Sequence, residues 1–254
     1  MAKSKKKDSS NDEVVINMDN LGVPIAIIIS GILIAAVIFF ASRNGTAVDT
    51  GTGQDQANGI VQDDTFPEEP SEGMATLGDS VFLGNPDTAT VAVIEYSDFL
   101  CGFCQRHFNE TFPSIMQSYV DTGDVLYVFK KFPLSGPGEL GFDIAEGGVC
   151  AYNFTDADTY LEYHDQAFSL RSRDEIISLA VDLGIDEGEF SACLNEEWFR
   201  DDVNSMLNEG RNAGISGTPG FVIGPIGEGG VVEGQLIFGA FPFDDFATAI
   251  EASL

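Results

Sequence analysis

Residues 93–104 read VIEYSDFLCGFC, and this stretch decides the fold. Its first half belongs to a β-branched, apolar run at 90–96, TVAVIEY, bounded upstream by Asn85, Pro86 and Asp87 and downstream by the turn at Cys101 and Gly102. A short apolar run between turn signals predicts a buried strand. Beyond it, Phe103, Phe108, Phe112, Ile115, Met116 and Tyr119 recur at roughly helical spacing, and Pro113, with no N–H to donate, predicts a kink. Residues 124–132, DVLYVFKKF, predict a second strand. Cys101 and Cys104 therefore fall where a strand gives way to a helix.

A cysteine in the first turn of a helix faces unpaired backbone N–H groups and the positive end of the helix dipole, which favour thiolate over thiol. Three-residue spacing lets the second sulfur reach the first, so that one cysteine attacks a disulfide and the other resolves the mixed species. Two other readings compete with this one. A structural zinc site needs four ligands, and only Cys150, Cys193, His107 and His164 remain to complete it, with no second close pair among them. A purely structural bridge across so small a loop would be strained and poorly stabilising. The expectation is a redox-active pair with no metal and no other cofactor.

Outward from this centre, residues 138–212 turn helical, with Ile144, Tyr160, Tyr163, Phe168, Ile176, Leu179, Ala180 and Leu183 recurring at intervals of three and four. Residues 220–223 and 235–238 predict two short strands joined by the glycine-rich turn GPIGEGG, and 243–253 a closing helix with Asp244 and Asp245 in its first turn. No Lys-Ser or Lys-Thr follows these glycines, so they do not form a phosphate loop. The order is β-α-β, a helical block, then β-β-α, an α/β fold.

The 254 residues carry 41 acidic and 12 basic side chains, a formal charge of −29, which excludes the basic surface that nucleic-acid binding requires. Residues 21–41, LGVPIAIIISGILIAAVIFFA, contain no charge and at about 1.5 Å per residue span about 30 Å, the thickness of a hydrocarbon core. Lys3, Lys5, Lys6 and Lys7 precede this span, predicting a cytoplasmic tail at 1–20 and an anchor with the remainder outside. A cleaved signal peptide is the alternative, but the apolar run is long and no A-x-A pattern follows it. Residues 42–75, rich in Gly, Thr, Asp, Gln and Pro, read as a flexible linker, leaving a domain at 76–254. From residue 44 onward 37 acidic residues face 7 basic ones. Such a surface repels itself unless salt screens it, which suits a halophile or, more plainly, an acidic secreted protein.

Over residues 75–254 the sequence resembles the DsbA-like thioredoxin-fold proteins, in particular the membrane-anchored thiol-disulfide oxidoreductases of bacteria and archaea. The resemblance rests on VIEYSDFLCGFC at 93–104, VFKKFPL at 128–134, YLEYHDQAF at 160–168, GISGTPGFVIG at 214–224 and the closing helix. It implies that Cys101 is the exposed nucleophile and Cys104 its buried partner. Thr218 and Pro219 match the loop whose proline is cis and which presents backbone to a substrate peptide, beside Gly102 and Phe103. Glu95 matches a buried acid that moves a proton to or from Cys104; its alternative role is a structural acid paired with Lys130 or Lys131. The strongest oxidants of the family carry Pro-His where this chain has Gly102 and Phe103, and Phe103 offers neither charge nor a conventional hydrogen bond.

Cys150 and Cys193 read as a second, structural disulfide, since an exported chain meets an oxidising compartment and some family members carry such a bridge; two free buried thiols are the alternative. His107 reads as a solvent-facing or capping residue, His164 as structural, and Trp198 and Phe199 as core. The implied partners are exported proteins with thiols or disulfides and a quinone-linked membrane oxidase. The implied direction is disulfide donation, with reduction, isomerisation or a non-catalytic binding role as alternatives.

Overall fold

The computed structural model describes residues 71–136 and 138–254. Strands β1 (Glu72–Thr76), β2 (Val81–Leu83) and β3 (Val91–Ser97) lead into helices α1 (Gly102–Glu110) and α2 (Phe112–Ile115), which continues as a π-helical turn at Met116–Val120. Strand β4 (Val125–Lys131) precedes α3 (Leu140–Phe154), α4 (Ala157–Ala167), α5 (Arg173–Asp182), α6 (Glu187–Asn195) and α7 (Arg200–Asn212). Strands β5 (Gly220–Pro225) and β6 (Val231–Phe238) and helix α8 (Phe243–Ser253) follow.

The strands form one sheet of order β1-β6-β5-β3-β4-β2, in which β3 and β4 are parallel and the other neighbours antiparallel. Every residue of β3 and β4 is buried, because protein covers both faces of these central strands, and that is why their sequences read as continuous apolar runs rather than alternating ones. Val91 and Val93 pack with Tyr127, Phe129, Phe221 and Phe246 of α8 on one face, while Ala92, Ile94 and Tyr96 pack with Leu126, Val128 and Leu207 of α7 on the other. Fully burying a side chain such as Phe129 or Phe221 is worth about 1.5–3 kcal/mol. Period-two alternation places Glu95 on the first face, beneath α1.

The helix that carries the cysteines breaks at Thr111, which caps α1 and restarts the chain into α2 with Pro113 in its first turn. Thr111 Oγ1 donates to the Phe241 carbonyl at 2.9 Å, tying the break to the loop before α8. In the helical block, α4, α5 and α6 each start at a side-chain cap: Asp156, Ser172 and Asp186 accept from the backbone N–H groups of Thr159, Glu175 and Glu189. Helix α3 is buried along most of its length and on most sides. A Cβ on Gly147 would lie 2.6 Å from Tyr163 Oη, so glycine there lets α4 approach α3 closely.

Several expectations need correction. Strand β1 begins at Glu72, inside the stretch read as linker to residue 75; its backbone pairs with β6, and an edge strand held by tertiary pairing need not be apolar. The second hairpin strand begins at Val231 rather than at 235, because Gly234 is not a turn residue. It sits opposite Gly224, with the Ile223 carbonyl where a side chain would have to go. Strand β2, three residues long, carried too little pattern to be read at all. Trp198 is 49% exposed and not core, and its indole N–H donates to Glu196 Oε2 at 2.9 Å. His107 is fully buried rather than solvent-facing. Among the described residues no helix is long and apolar enough to cross a membrane; the span read at 21–41 lies outside them.

Candidate active site

The site is built at the end of β3. Asp98, the residue after the strand, has its Oδ1 accepting from Leu100 N–H and its Oδ2 from Leu134 N–H, each at 2.9 Å, while its carbonyl accepts from Cys101 N–H at 3.0 Å. One buried carboxylate thus fixes the turn into α1 and ties it to the loop after β4. Cys101 is the N-cap residue of α1, with extended backbone and no side-chain cap, so its sulfur stands at the open end of the helix. Cys104, one turn on, is fully buried.

Cys101 is half-buried, and its Sγ lies 3.3 Å from the Thr218 carbonyl, to which the thiol donates. The Thr218–Pro219 peptide is cis, and this loop brings the Thr218 carbonyl against Cys101. Hydrogen bonding from the Cys104 thiol, reinforced by the Thr218 side chain and by the backbone N–H groups of Cys104 and Phe103, brings Cys101 down to about 5 against the opposing effects of burial and of the Thr218 carbonyl, which favours the thiol. Cys104 moves the other way, raised by burial, by its bond to Cys101 and by the charge of Glu95. The two sulfurs are therefore unlike, one a ready thiolate and the other held as thiol.

Glu95 lies under the pair, fully buried, with Oε2 accepting from the Tyr127 hydroxyl at 2.8 Å. Its Oε1 has no hydrogen-bond partner among the described residues. Burial raises its pKa to about 7, partly opposed by the Tyr127 hydroxyl and by the Lys131 charge. Lys131 is buried on the same face, hydrogen-bonded to the Tyr160 hydroxyl with its Nζ 4.3 Å from that ring's centroid and 5.4 Å from that of Phe99. Burial lowers it to about 7, with Glu95 pulling it upward. Lys130 points through the other face of the sheet and pairs with Glu209 at 2.9 Å. Of the two lysines weighed from the sequence, only Lys131 belongs to the neighbourhood of Glu95.

Behind Glu95 the polar chain continues. Tyr127 donates to Glu95, so His107 Nε2, 2.9 Å from the Tyr127 oxygen, carries the proton and donates in turn. Phe221 and Phe246 pack against the imidazole, and burial lowers its pKa to about 3, which keeps it neutral. Tyr127 and Asp98 were not singled out from the sequence, although Tyr127 could have been: two residues before Phe129, it shares the Glu95 face in a paired strand.

Several large apolar side chains are exposed on the segments that flank the pair. Phe103 is 60% exposed and Leu134 63%, with Leu100, Phe238 and Phe241 also exposed. Gly102 lies open, with no atom in the space a side chain would fill. Away from the site, Cys150 of α3 and Cys193 of α6 form a disulfide with a Cα–Cα distance of 6.3 Å, both fully buried. Closing its 43-residue loop is worth up to about 4 kcal/mol. His164 packs among Phe99, Phe108, Phe129 and Phe168 as a buried core residue.

A family model described as Thioredoxin matches residues 76–228. A Rickettsia felis relative described as a protein-disulfide oxidoreductase is 24% identical over 181 residues, 68% of this chain and 59% of its own length. Disulfide bond formation protein D of Bacillus subtilis is 29% identical over 98 residues, 37% of this chain and 43% of its own. The chain thus spans about half the length of these curated relatives. Among solved structures, alpha-DsbA1 of Wolbachia pipientis has a TM-score of 0.60 at 23% identity, covering 69% of this chain and 91% of that one. Oxidised BdbD of Bacillus subtilis has 0.61 at 20% identity, covering 72% and 97%. The family model spans more than half of the chain, including β3, α1 and β5, and the solved structures are similar to it in fold: the chain belongs to the thioredoxin family, with a DsbA-like fold.

Proposed function

We propose that this chain is a membrane-tethered, extracytoplasmic thiol-disulfide oxidoreductase that introduces disulfides into exported proteins. One observation carries the reading: a half-buried Cys101 held as thiolate at a helix N-terminus, above a fully buried Cys104 and Glu95. The activity borne in the names of the matched relatives is of the same kind.

In the donating direction a substrate thiolate attacks Cys101 Sγ of the oxidised pair. A bond forms between substrate and Cys101, the Cys101–Cys104 bond breaks, and Cys104 leaves with the electron pair. Buried, the Cys104 sulfur is poorly stabilised as an anion, and Glu95, near neutral pH about half protonated, supplies the proton. A second substrate thiolate then attacks the substrate sulfur of the mixed disulfide, and Cys101 leaves as the stabilised thiolate. Two electrons pass from the substrate to the pair. No cofactor beyond the cysteines takes part. The exposed Leu100, Phe103, Leu134 and Phe241 suit an unfolded polypeptide as substrate. An oxidase in the same membrane, reached through the span at 21–41, would reset the pair.

The test is the reduction potential of the Cys101–Cys104 pair in the whole chain, equilibrated against glutathione. A value near about −120 mV supports disulfide donation, and one near about −270 mV overturns it in favour of a reductant. The absence of any charged residue at Gly102 and Phe103 is the feature that favours the weaker oxidant. Cys101→Ser must abolish oxidation of a reduced test protein, and residual turnover would overturn the assignment.

A further inference from the structure

Residues 71–254 carry 31 carboxylates and only seven basic side chains. Most of the cations have partners inside the domain. Lys130 pairs with Glu209, Arg173 with Asp143, and Arg200 with Glu146 and Glu197, while Lys131 is buried near Glu95. Arg211 occupies the last turn of α7, where the helix dipole favours a cation. Arg106 and Arg171 remain, and among the described residues neither makes an ion pair with a carboxylate.

Both stand beside the cysteine pair. Arg106, two residues after Cys104, lies 5.0 Å from the centroid of the Phe103 ring and donates from Nη2 to the Ala240 carbonyl at 2.9 Å. Arg171, from the loop after α4, walls a cavity of about 260 Å³ together with Cys101, Gly102, Gln105 and Phe168. Its Nη1 donates to the carbonyls of Phe168 at 3.0 Å and Leu170 at 2.6 Å, which orients the guanidinium. Its Nη2 and Nε make no hydrogen bond among the described residues.

A guanidinium anchored by one nitrogen, with further donors open in a cavity that the nucleophilic Cys101 also lines, is arranged to receive a carboxylate. In a domain with 31 carboxylates, leaving two arginines unpaired at the reaction centre suits a partner that arrives with the substrate. We propose that Arg171 is a specificity-determining residue that docks an Asp or Glu side chain flanking the substrate cysteine, with Arg106 adding a second positive charge. The preferred substrates are then acidic polypeptide segments. This rests on the thiol-disulfide reading above and names its substrate class. At long range the acidic domain repels such segments; the arginines place positive charge at the site despite Glu175, whose Oε2 accepts from the Arg171 backbone N–H at 2.6 Å, and salt screens the long-range repulsion more than a close contact.

The test uses the oxidised whole chain and three cysteine peptides that differ only in having Glu, Gln or Lys beside the cysteine, at about 1 M salt, where the Debye length is about 3 Å. The rate of reduction of the Cys101–Cys104 pair by each peptide is divided by that peptide's rate with 2-hydroxyethyl disulfide, which cancels differences in thiol acidity. The Glu peptide is expected to exceed the Gln peptide by about 1.5- to 5-fold, the range for an exposed ion pair. Arg171→Gln should remove that preference, Arg106→Gln should reduce it, and Arg171→Glu should invert it so that the Lys peptide leads. A wild-type ratio of one or below, a preference that survives Arg171→Gln, or an Arg171→Glu protein that slows all three peptides equally would overturn the proposal. The last result would assign Arg171 to capping α4 alone. These outcomes leave the redox reading standing, whereas failure of every peptide to react would overturn both.

Discussion

Cys104→Ala removes the largest single support of the Cys101 thiolate, the hydrogen bond from the Cys104 thiol. With that bond in place Cys101 ionises at about 5 instead of the ordinary 9.0. A hydrogen bond to a charged acceptor is worth about 1.5–3 kcal/mol, and a thiol is a weak donor. Cys101 is also only half-buried, so water replaces part of what is lost, and the low end applies. About 1.5 kcal/mol is roughly a tenfold change in the ionisation constant. At pH 5 the reduced wild type is half thiolate, and Cys104→Ala should leave on the order of one tenth as thiolate. Ultraviolet absorbance of the thiolate, read across pH in the reduced proteins, measures this directly. Cys104→Ser, which keeps an O–H donor at the same buried position, should retain most of the thiolate. Because both variants lose the buried sulfur, a packing defect would act on both, and their difference isolates the hydrogen bond. An Ala variant as ionised as the wild type, or a Ser variant as poorly ionised as Ala, would refute the reasoning.

Glu95, at about 7 in the folded chain against 4.5, retains a proton that the unfolded chain has lost, so it lowers stability as pH rises between those values. Glu95→Gln should flatten that slope, on the order of 3 kcal/mol over the interval, in denaturant midpoints taken at both ends. Equal slopes in the two proteins would contradict the burial argument. Replacing Cys150 and Cys193 together by Ala should lower stability by up to about 4 kcal/mol without altering the Cys101 titration; a shifted titration would mean that the helical block positions the site. Residues 71–254, with 31 acidic and seven basic side chains, should melt at higher temperature as salt rises to molar concentration, and a flat response would remove self-repulsion as a term in stability.

Much of the architecture was legible because local pattern and tertiary role agree in it. The runs at 90–96 and 124–132 are apolar at nearly every position because both faces of β3 and β4 are covered, and the closing helix matches α8 at Phe243–Ser253. Elements were missed where pairing rather than pattern holds them. Strand β1 is held by its ladder to β6, and Gly234 lies in a strand because it faces Gly224. His107 reads from the sequence as solvent-facing or capping, but the helix turns its ring inward onto Tyr127.

By itself the sequence determined that two cysteines stand at a strand-to-helix junction in a thioredoxin-like order of elements, since both facts depend only on spacing and periodicity. What only the tertiary structure decided is how those groups differ in acidity. Cys101 and Cys104 are chemically identical in the chain, and Lys130 and Lys131 are neighbours in it. The hydrogen bond from Cys104, with the Thr218 side chain and the backbone N–H groups of the helix end, makes Cys101 a thiolate, burial keeps Cys104 a thiol, and the pleat of β4 sends one lysine to the Glu95 face and the other to Glu209. Desolvation and hydrogen-bond direction are properties of an enclosure, which exists only once residues as far apart as 95, 127 and 218 are brought together.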